Sequence, residues 1–219
     1  MLKGALFDLD GVIADTSVYH FDAWRKLVKD HFDKTLPDDL EEKTKGVSRG
    51  DSLQIILNYL HITVSKAKFD ELATEKNNIY LTYLETLTPE NTLPGIQEFI
   101  QTLKAHHIKL AVASASLNAP FILRKLDLHH AFDAIADPSA VKAGKPAPDI
   151  FLAAAAAIQL KPEECIGIED SIAGITAINK AGSFSVGIGS IEKLHEANLL
   201  FAATDDLNLD TIVKQFNQQ

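Results

Sequence analysis

Residues 2–12 read LKGALFDLDGV. The apolar run reads as a short buried strand, and two carboxylates, Asp8 and Asp10, arrive two residues apart where that strand should end. Like charges this close repel unless something positive lies between them. The residues downstream decide the fold. From Asp15 the pattern turns helical, with Phe21, Trp24, Leu27, Val28 and Phe32 recurring at helical spacing and Asp15 or Thr16 as the candidate cap. Pro37 and the acidic cluster at 38–42 mark a loop or a helix start. KGVSRGDSL (45–53) is polar, holds two glycines, and reads as a loop entering a helix at Asp51 or Ser52. Helical patterns continue through DSLQIILNYL and from about Ser65 to Glu85, and no strand is expected between Val12 and Leu93. A helical block after one strand predicts an inserted domain over 15–92, carried by a core of 1–14 and 93–219.

After Pro94-Gly95 the texture alternates. Strand patterns at IKLAVASAS, FDAIADP, ECIGIED, SFSVGIG and LLFAAT are separated by the helical patterns GIQEFIQTLKAHH, LNAPFILRKLDL, APDIFLAAAAAI, SIAGITAINKAG and IEKLHEA, with LDTIVKQF as the last helix. Such alternation predicts βαβ units: a Rossmann-like α/β fold with a mostly parallel sheet. Ligands of these sheets lie beyond the carboxyl ends of the strands. Those ends deliver Asp8 and Asp10, then Ser114 and Ser116, then Glu169 and Asp170, with Lys145 in the Gly/Pro-rich GKPAPD loop. One acid pair could be a helix cap. Two acid pairs, two serines and a lysine converging on one edge read as a site.

Carboxylates from two strands form a hard-oxygen set that suits Mg²⁺. One carboxylate can attack phosphorus, and the second can move a proton to or from the leaving or attacking oxygen. Lys145 and Ser114 can hold the equatorial phosphoryl oxygens.

Composition sets the outer bounds. The chain has 219 residues, 46% hydrophobic, enough for a sizeable core without staples. A net charge of −9 argues against a nucleic-acid partner. The single cysteine, Cys165, excludes an internal disulfide and reads as a small buried hydrophobe. The first nine residues show no signal-peptide pattern. The longest apolar run, FLAAAAAI at 151–158, falls short of the roughly 18 residues a membrane span needs. A cytoplasmic monomer away from membranes is the expectation. His106-His107 and His129-His130 lack metal-ligand spacing and read as surface positions.

DLDGV, ASAS, KPAPD and GIEDS, in that order, resemble the four motifs of the haloacid dehalogenase superfamily. Aspartate at both positions of the first motif resembles its phosphotransferase branch. That resemblance implies Asp8 as nucleophile, Asp10 as acid/base, Ser114 and Lys145 as phosphate and charge-balancing residues, and magnesium on Asp8, the Asp10 carbonyl, Asp170 and Glu169. The helical insertion resembles the small cap domain of the superfamily. DTSVYHFDAW, KGVSRGDSL, EKNNIY and SASLNAP narrow the likeness to its hexose-phosphate mutases. That narrower resemblance implies interconversion of β-glucose 1-phosphate and glucose 6-phosphate through an aspartyl-phosphate and a bisphosphate, with hexose phosphates as partners. It implies Thr16, His20, Trp24 and Lys76 on the cap side, and Lys45, Gly46, Val47, Ser48, Arg49 and Ser52 as a specificity loop. Ser116 and Asn118, with the Ala115 and Leu117 positions and Arg49, would hold the phosphate that is not being transferred. Members of this branch place a lysine where this chain has Leu117, which implies a weaker grip there. By pattern alone His20 is a packed helix histidine, Trp24 a core residue, and Arg49 and Lys45 solvated loop cations. A phosphatase of the same superfamily, or a phosphometabolite sensor that does no chemistry, would share the core motifs.

Overall fold

The computed structural model describes residues 1–218. Its frame is a six-stranded sheet: β1 (Gly4–Phe7), β2 (Lys109–Val112), β3 (Ala134–Ile135), β4 (Cys165–Glu169), β5 (Phe184–Ile188) and β6 (Leu199–Phe201). The order is β3-β2-β1-β4-β5-β6 and every pair is parallel, as the alternation of strand and helix patterns predicts. Side chains of a strand alternate between faces, and the two faces here pack on different helices. Ala5, Phe7, Leu110, Val112, Ile166 and Ile168 point into the larger core. It is closed by α5 (Ile96–Ala105), α6 (Ala119–Lys125) and α10 (Leu209–Phe216). Leu6, Ala111, Ala113 and Cys165 point the other way, onto α7 (Asp149–Ala157) and α8 (Ile172–Ala181). Cys165 is buried with a free thiol, as expected. Within the alanine run, Ala154 and Ala155 face the sheet, and their small side chains let α7 lie close to it.

Between β1 and β2 run α1 (Ser17–Phe32), α2 (Asp39–Thr44), α3 (Arg49–Tyr59) and α4 (Lys66–Leu84), with no strand among them. They share an apolar cluster that includes Phe21, Trp24, Leu27, Leu40, Leu53, Ile56 and Leu72. Ala23, Tyr80 and Leu84, from α1 and α4, join the larger core instead, so these two helices lean on the sheet layer. The two connecting segments meet where Leu93 N donates to Ile13 O at 2.9 Å and Ala14 bridges to Thr92. Short α9 (Ile191–Leu194) precedes β6. Among the described residues no helix is long and apolar enough to cross a membrane.

Two local expectations are corrected. The 45–53 stretch turns helical at Arg49, earlier than Asp51, because Ser48 takes an extended backbone and its side chain accepts from Asp51 N. Arg49 and Gly50 therefore form the first turn of α3. Thr16 does sit at the N-cap position of α1, but neither it nor Asp15 caps the helix through its side chain; the Thr16 hydroxyl is turned to Asp10.

Close packing of α8 on β4 depends on Gly167. A Cβ there would lie 2.6, 2.7 and 2.8 Å from three side-chain carbons of Ile178. We expect Gly167→Ala to lower stability by about 1–3 kcal/mol in urea unfolding, through overpacking. Adding Ile178→Ala should make the pair less damaging than the sum of the two single changes.

Candidate active site

Sheet register assembles the site. Phe7 is paired with Val112 on one side and Ile168 on the other. Asp8 N donates to Ile168 O at 3.0 Å, and Ala113 N donates to Phe7 O at 2.7 Å. The residues that follow on three adjacent strands are thereby brought to one edge: Asp8, Glu169 with Asp170, and Ala113 with Ser114. Gly11 makes the turn after β1 with φ 86°, and any side chain there would strike the Asp170 carboxyl group.

Lys145 enters this carboxylate cluster from the loop before α7. Its Nζ donates to Asp8 Oδ1 at 2.7 Å and to Glu169 Oε1 at 2.6 Å, and its side chain is 0% exposed. The second Glu169 oxygen accepts from Ser171 N at 2.7 Å and Ser171 Oγ at 2.9 Å. Burial pushes the Asp8 carboxyl group up, against the pull of Lys145, and the charges of Glu169, Asp10 and Asp170 add to the rise. The two carboxylates hold Lys145 protonated, above the ordinary lysine range, against the cost of its burial. Asp170 is pushed up to about 7, by burial first and then by Glu169, although Lys45 stands 3.6 Å away. One oxygen each of Asp8, Glu169 and Asp170 lie within 4.8 Å of one another. An all-carboxylate set with more negative charge than its lysines offset fits a hard divalent cation.

Asp10 is held by a separate network. Its Oδ1 accepts from the Thr16 hydroxyl at 2.5 Å and from the Tyr80 hydroxyl at 3.4 Å, and His20 Nε2 stands 3.7 Å away. Burial raises the Asp10 carboxyl group, while Thr16, Lys76 and Lys145 oppose the rise. His20 stacks on Tyr80 with centroids 3.8 Å apart, and its Nδ1 lies 2.5 Å from Lys76 Nζ. Burial, and then the cations Lys76 and Arg49, hold the imidazole well below its usual range, so it is neutral at pH 7. Lys76 also faces the Trp24 and Tyr80 rings, at 4.9 and 4.7 Å.

A cleft of about 430 Å³ opens over Asp8, Asp10 and Asp170 and is covered by α1, α3 and α4. Lys45, Gly46, Val47, Ser48, Arg49 and Ser52, with His20, Trp24, Lys76, Ala115, Ser116 and Leu117, all reach its wall. Thr16, Ser114, Lys145, Glu169 and Asn118 stand behind that wall, where they bond residues that line it or their neighbours. Ser114 Oγ accepts from Ser116 N at 3.0 Å, and Ser116 Oγ accepts from Asn118 N at 3.2 Å.

This constellation agrees with a family profile described as haloacid dehalogenase-like hydrolase, which matches residues 2–182. The chain belongs to that family. It is 43% identical over 219 residues to the β-phosphoglucomutase of Bacillus subtilis, spanning 99% of this chain and 96% of that one. It is 31% identical to a phosphorylated carbohydrates phosphatase of Thermotoga maritima, over 92% of this chain and 91% of the other. The crystal structure of β-phosphoglucomutase from Clostridium difficile superposes with a TM-score of 0.97 at 40% identity, covering 100% of this chain and 98% of that one.

Within this haloacid dehalogenase-like protein, sequence reasoning passed over Tyr80, Asn77 and Ser171. Tyr80 follows Lys76 by one helical turn, so a helical reading of EKNNIY places both on one face. Ser171 stands where a helix cap is expected before SIAGITAINKAG, two residues after Glu169; Asn77 carries no such signal, since its partners come from other elements.

Lys76 yields a pH test. Burial, with Arg49 adding, pushes it down to about 7, and Asp10 opposes. An unfolded lysine titrates near 10.4. Between these values the unfolded chain binds a proton that the folded one lacks, so this group makes folding more favourable as pH rises. The stability of the parent should therefore climb from pH 7 to 10 relative to Lys76→Met, by up to about 1.4 kcal/mol per pH unit, read by urea unfolding at each pH.

Proposed function

We propose that this protein is a β-phosphoglucomutase, interconverting β-glucose 1-phosphate and glucose 6-phosphate through an aspartyl-phosphate at Asp8 and β-glucose 1,6-bisphosphate. The observation that carries the reading is a cleft lined by two chemically different sets of groups. One is the Asp8–Lys145–Glu169 cluster with Asp10. The other is Arg49 and Ser116, with Asn118 bonded to Ser116. A sugar carrying phosphate on two carbons is matched to such a cleft, and a guanidinium can bind phosphate in bidentate fashion. The near end-to-end likeness to the Bacillus subtilis enzyme supports the same assignment.

In the proposed cycle an Asp8 carboxylate oxygen attacks the phosphorus of the bisphosphate. The bond from phosphorus to the sugar oxygen breaks, and that oxygen takes the Asp10 proton. Loss of the C1 phosphoryl group leaves glucose 6-phosphate, which departs, and β-glucose 1-phosphate enters with its C6 hydroxyl toward Asp8. That hydroxyl gives a proton to Asp10 and attacks the aspartyl-phosphate, returning Asp8 as a free carboxylate and forming a bisphosphate that turns end for end before the next attack. Burial raises the Asp10 carboxyl group, the direction a proton carrier needs, and Thr16 and Tyr80 hold it in place. Lys145 counters the negative charge of Asp8 and Glu169 throughout. Ser114, buried two residues beyond the end of neighbouring β2, is assigned to a phosphoryl oxygen. Magnesium held by Asp8, the Asp10 carbonyl and Asp170, with Glu169 behind, would neutralise charge on the phosphoryl oxygens.

We assign residues 15–92 as a cap on a catalytic core of 1–14 and 93–219. A mutase must exclude water while the bisphosphate turns, and closure of a cap does this. Lys45 with Asp170, and Lys193 with Glu42 at 2.9 Å, tie the helical block to the sheet layer near the cleft. Leu117 is 56% exposed and brings no charge to the second phosphate, which leaves Arg49 as the main cation there.

Two measurements in parallel decide the matter: glucose 6-phosphate formed from β-glucose 1-phosphate, and free phosphate released, with Mg²⁺ and a trace of bisphosphate. We expect isomerisation to exceed hydrolysis by orders of magnitude. Dominant hydrolysis would instead assign the phosphatase activity named for the Thermotoga maritima relative. Asp8→Asn should abolish isomerisation, by about 10⁴-fold or more. Chelation of divalent cations should stop turnover, and added Mg²⁺ should restore it.

A further inference from the structure

Asn77 lies on α4 next to Lys76. Its Oδ1 accepts from Arg49 Nη2 at 2.7 Å and from Asn118 Nδ2 at 2.9 Å. One atom thus joins three elements: the first turn of α3, the middle of α4 and the residue that precedes α6. Arginine has only donors, so the Asn77 amide must turn its oxygen to Arg49. That same oxygen then requires the nitrogen of Asn118, and both partners are set in orientation by a single acceptor.

We infer that Asn77 is a positioning residue that aims Arg49 and Asn118 at the second phosphate of the substrate while leaving the guanidinium charge unspent. This rests on the mutase reading. Charge is the reason for an amide at this position. Lys145 is paired with Asp8 and Glu169, and Lys45 with Asp170 and Glu42. Arg49 has no carboxylate partner among the described residues; its guanidinium donates to a neutral amide oxygen. A carboxylate at position 77 would hold the guanidinium in the same place and cancel its charge. With Leu117 contributing none, that cancellation would remove the main attraction for the phosphate held there.

Asn77→Asp is nearly isosteric and changes only the charge; Asn77→Ala removes the acceptor and leaves the charge. Both are compared with the parent for KM and kcat of isomerisation, and for labelling of Asp8 by acetyl phosphate, a small acyl phosphate with no sugar and no second phosphate. We expect Asn77→Asp to raise KM at least fivefold and more than Asn77→Ala does, with acetyl phosphate labelling within twofold of the parent in both. A purely structural role predicts the reverse order, since Asp fills the space that Ala leaves. The inference is overturned if Ala is the worse change, if the rise with Asp is under fivefold, or if labelling falls in step. The double variant Arg49→Ala/Asn77→Asp guards against a folding defect. Against an Arg49→Ala background the aspartate should change KM less than twofold, and a larger change also overturns the inference. A parent enzyme that releases phosphate without isomerising refutes the mutase reading and this inference with it, whereas failure of the inference alone shows only in the variants.

Discussion

A buried ammonium group between two buried carboxylates organises this molecule. Lys145 reaches Asp8 and Glu169 at 2.7 and 2.6 Å with its own side chain out of contact with water. Such a triad is held at the cost of desolvating three charges, and removing its centre would leave two carboxylates facing each other without a partner, a change worth about 3–5 kcal/mol. The rest of the sheet edge is arranged around this cost. The parallel register brings Asp8 and Glu169 together, Gly11 clears space for Asp170, and Ser171 takes the free oxygen of Glu169 while its hydroxyl also caps α8. What stability loses here, chemistry gains: a carboxylate beside a fixed cation in a dry site needs little reorganisation when charge moves.

The second carboxylate lives in different surroundings, and the difference separates the roles proposed for the two. Asp8 is answered by a full positive charge. Asp10 is answered mainly by hydroxyl groups, and burial raises its carboxyl group. Two acids that stand two residues apart are thus given unlike partners, although burial raises both. Thr16 lies at the start of the helical block and Tyr80 on α4, so the surroundings of Asp10 are built by the elements that cover the cleft. Asp10 and the cover are physically joined.

Much of this was legible in the chain itself. Alternating strand and helix patterns after Pro94, and purely helical patterns from Asp15 to Glu85, were enough for a parallel α/β core with a helical insertion, because periodicity of apolar residues reports directly on which face is buried. The acids, Ser114 and Lys145 were legible because strand ends in such sheets point to one edge. The start of α3 was misplaced because a single serine side chain decided it, and the glycines of KGVSRG argued for a loop.

Tertiary structure alone decided who meets whom. Which of the four acids would take Lys145, that Thr16 would serve Asp10 rather than its helix, and that Asn77 would gather Arg49 and Asn118, are facts about residues brought together by packing. Local pattern encodes the face of an element that is buried. It does not encode the partner across a gap of 28, 41 or 137 residues, which is set only when register and packing bring one atom within hydrogen-bonding reach of another. The sequence by itself therefore determined the layers, the edge and the chemical types that collect there, while the pairing of charges, and with it the distinct partners of each acid, came from the packed fold.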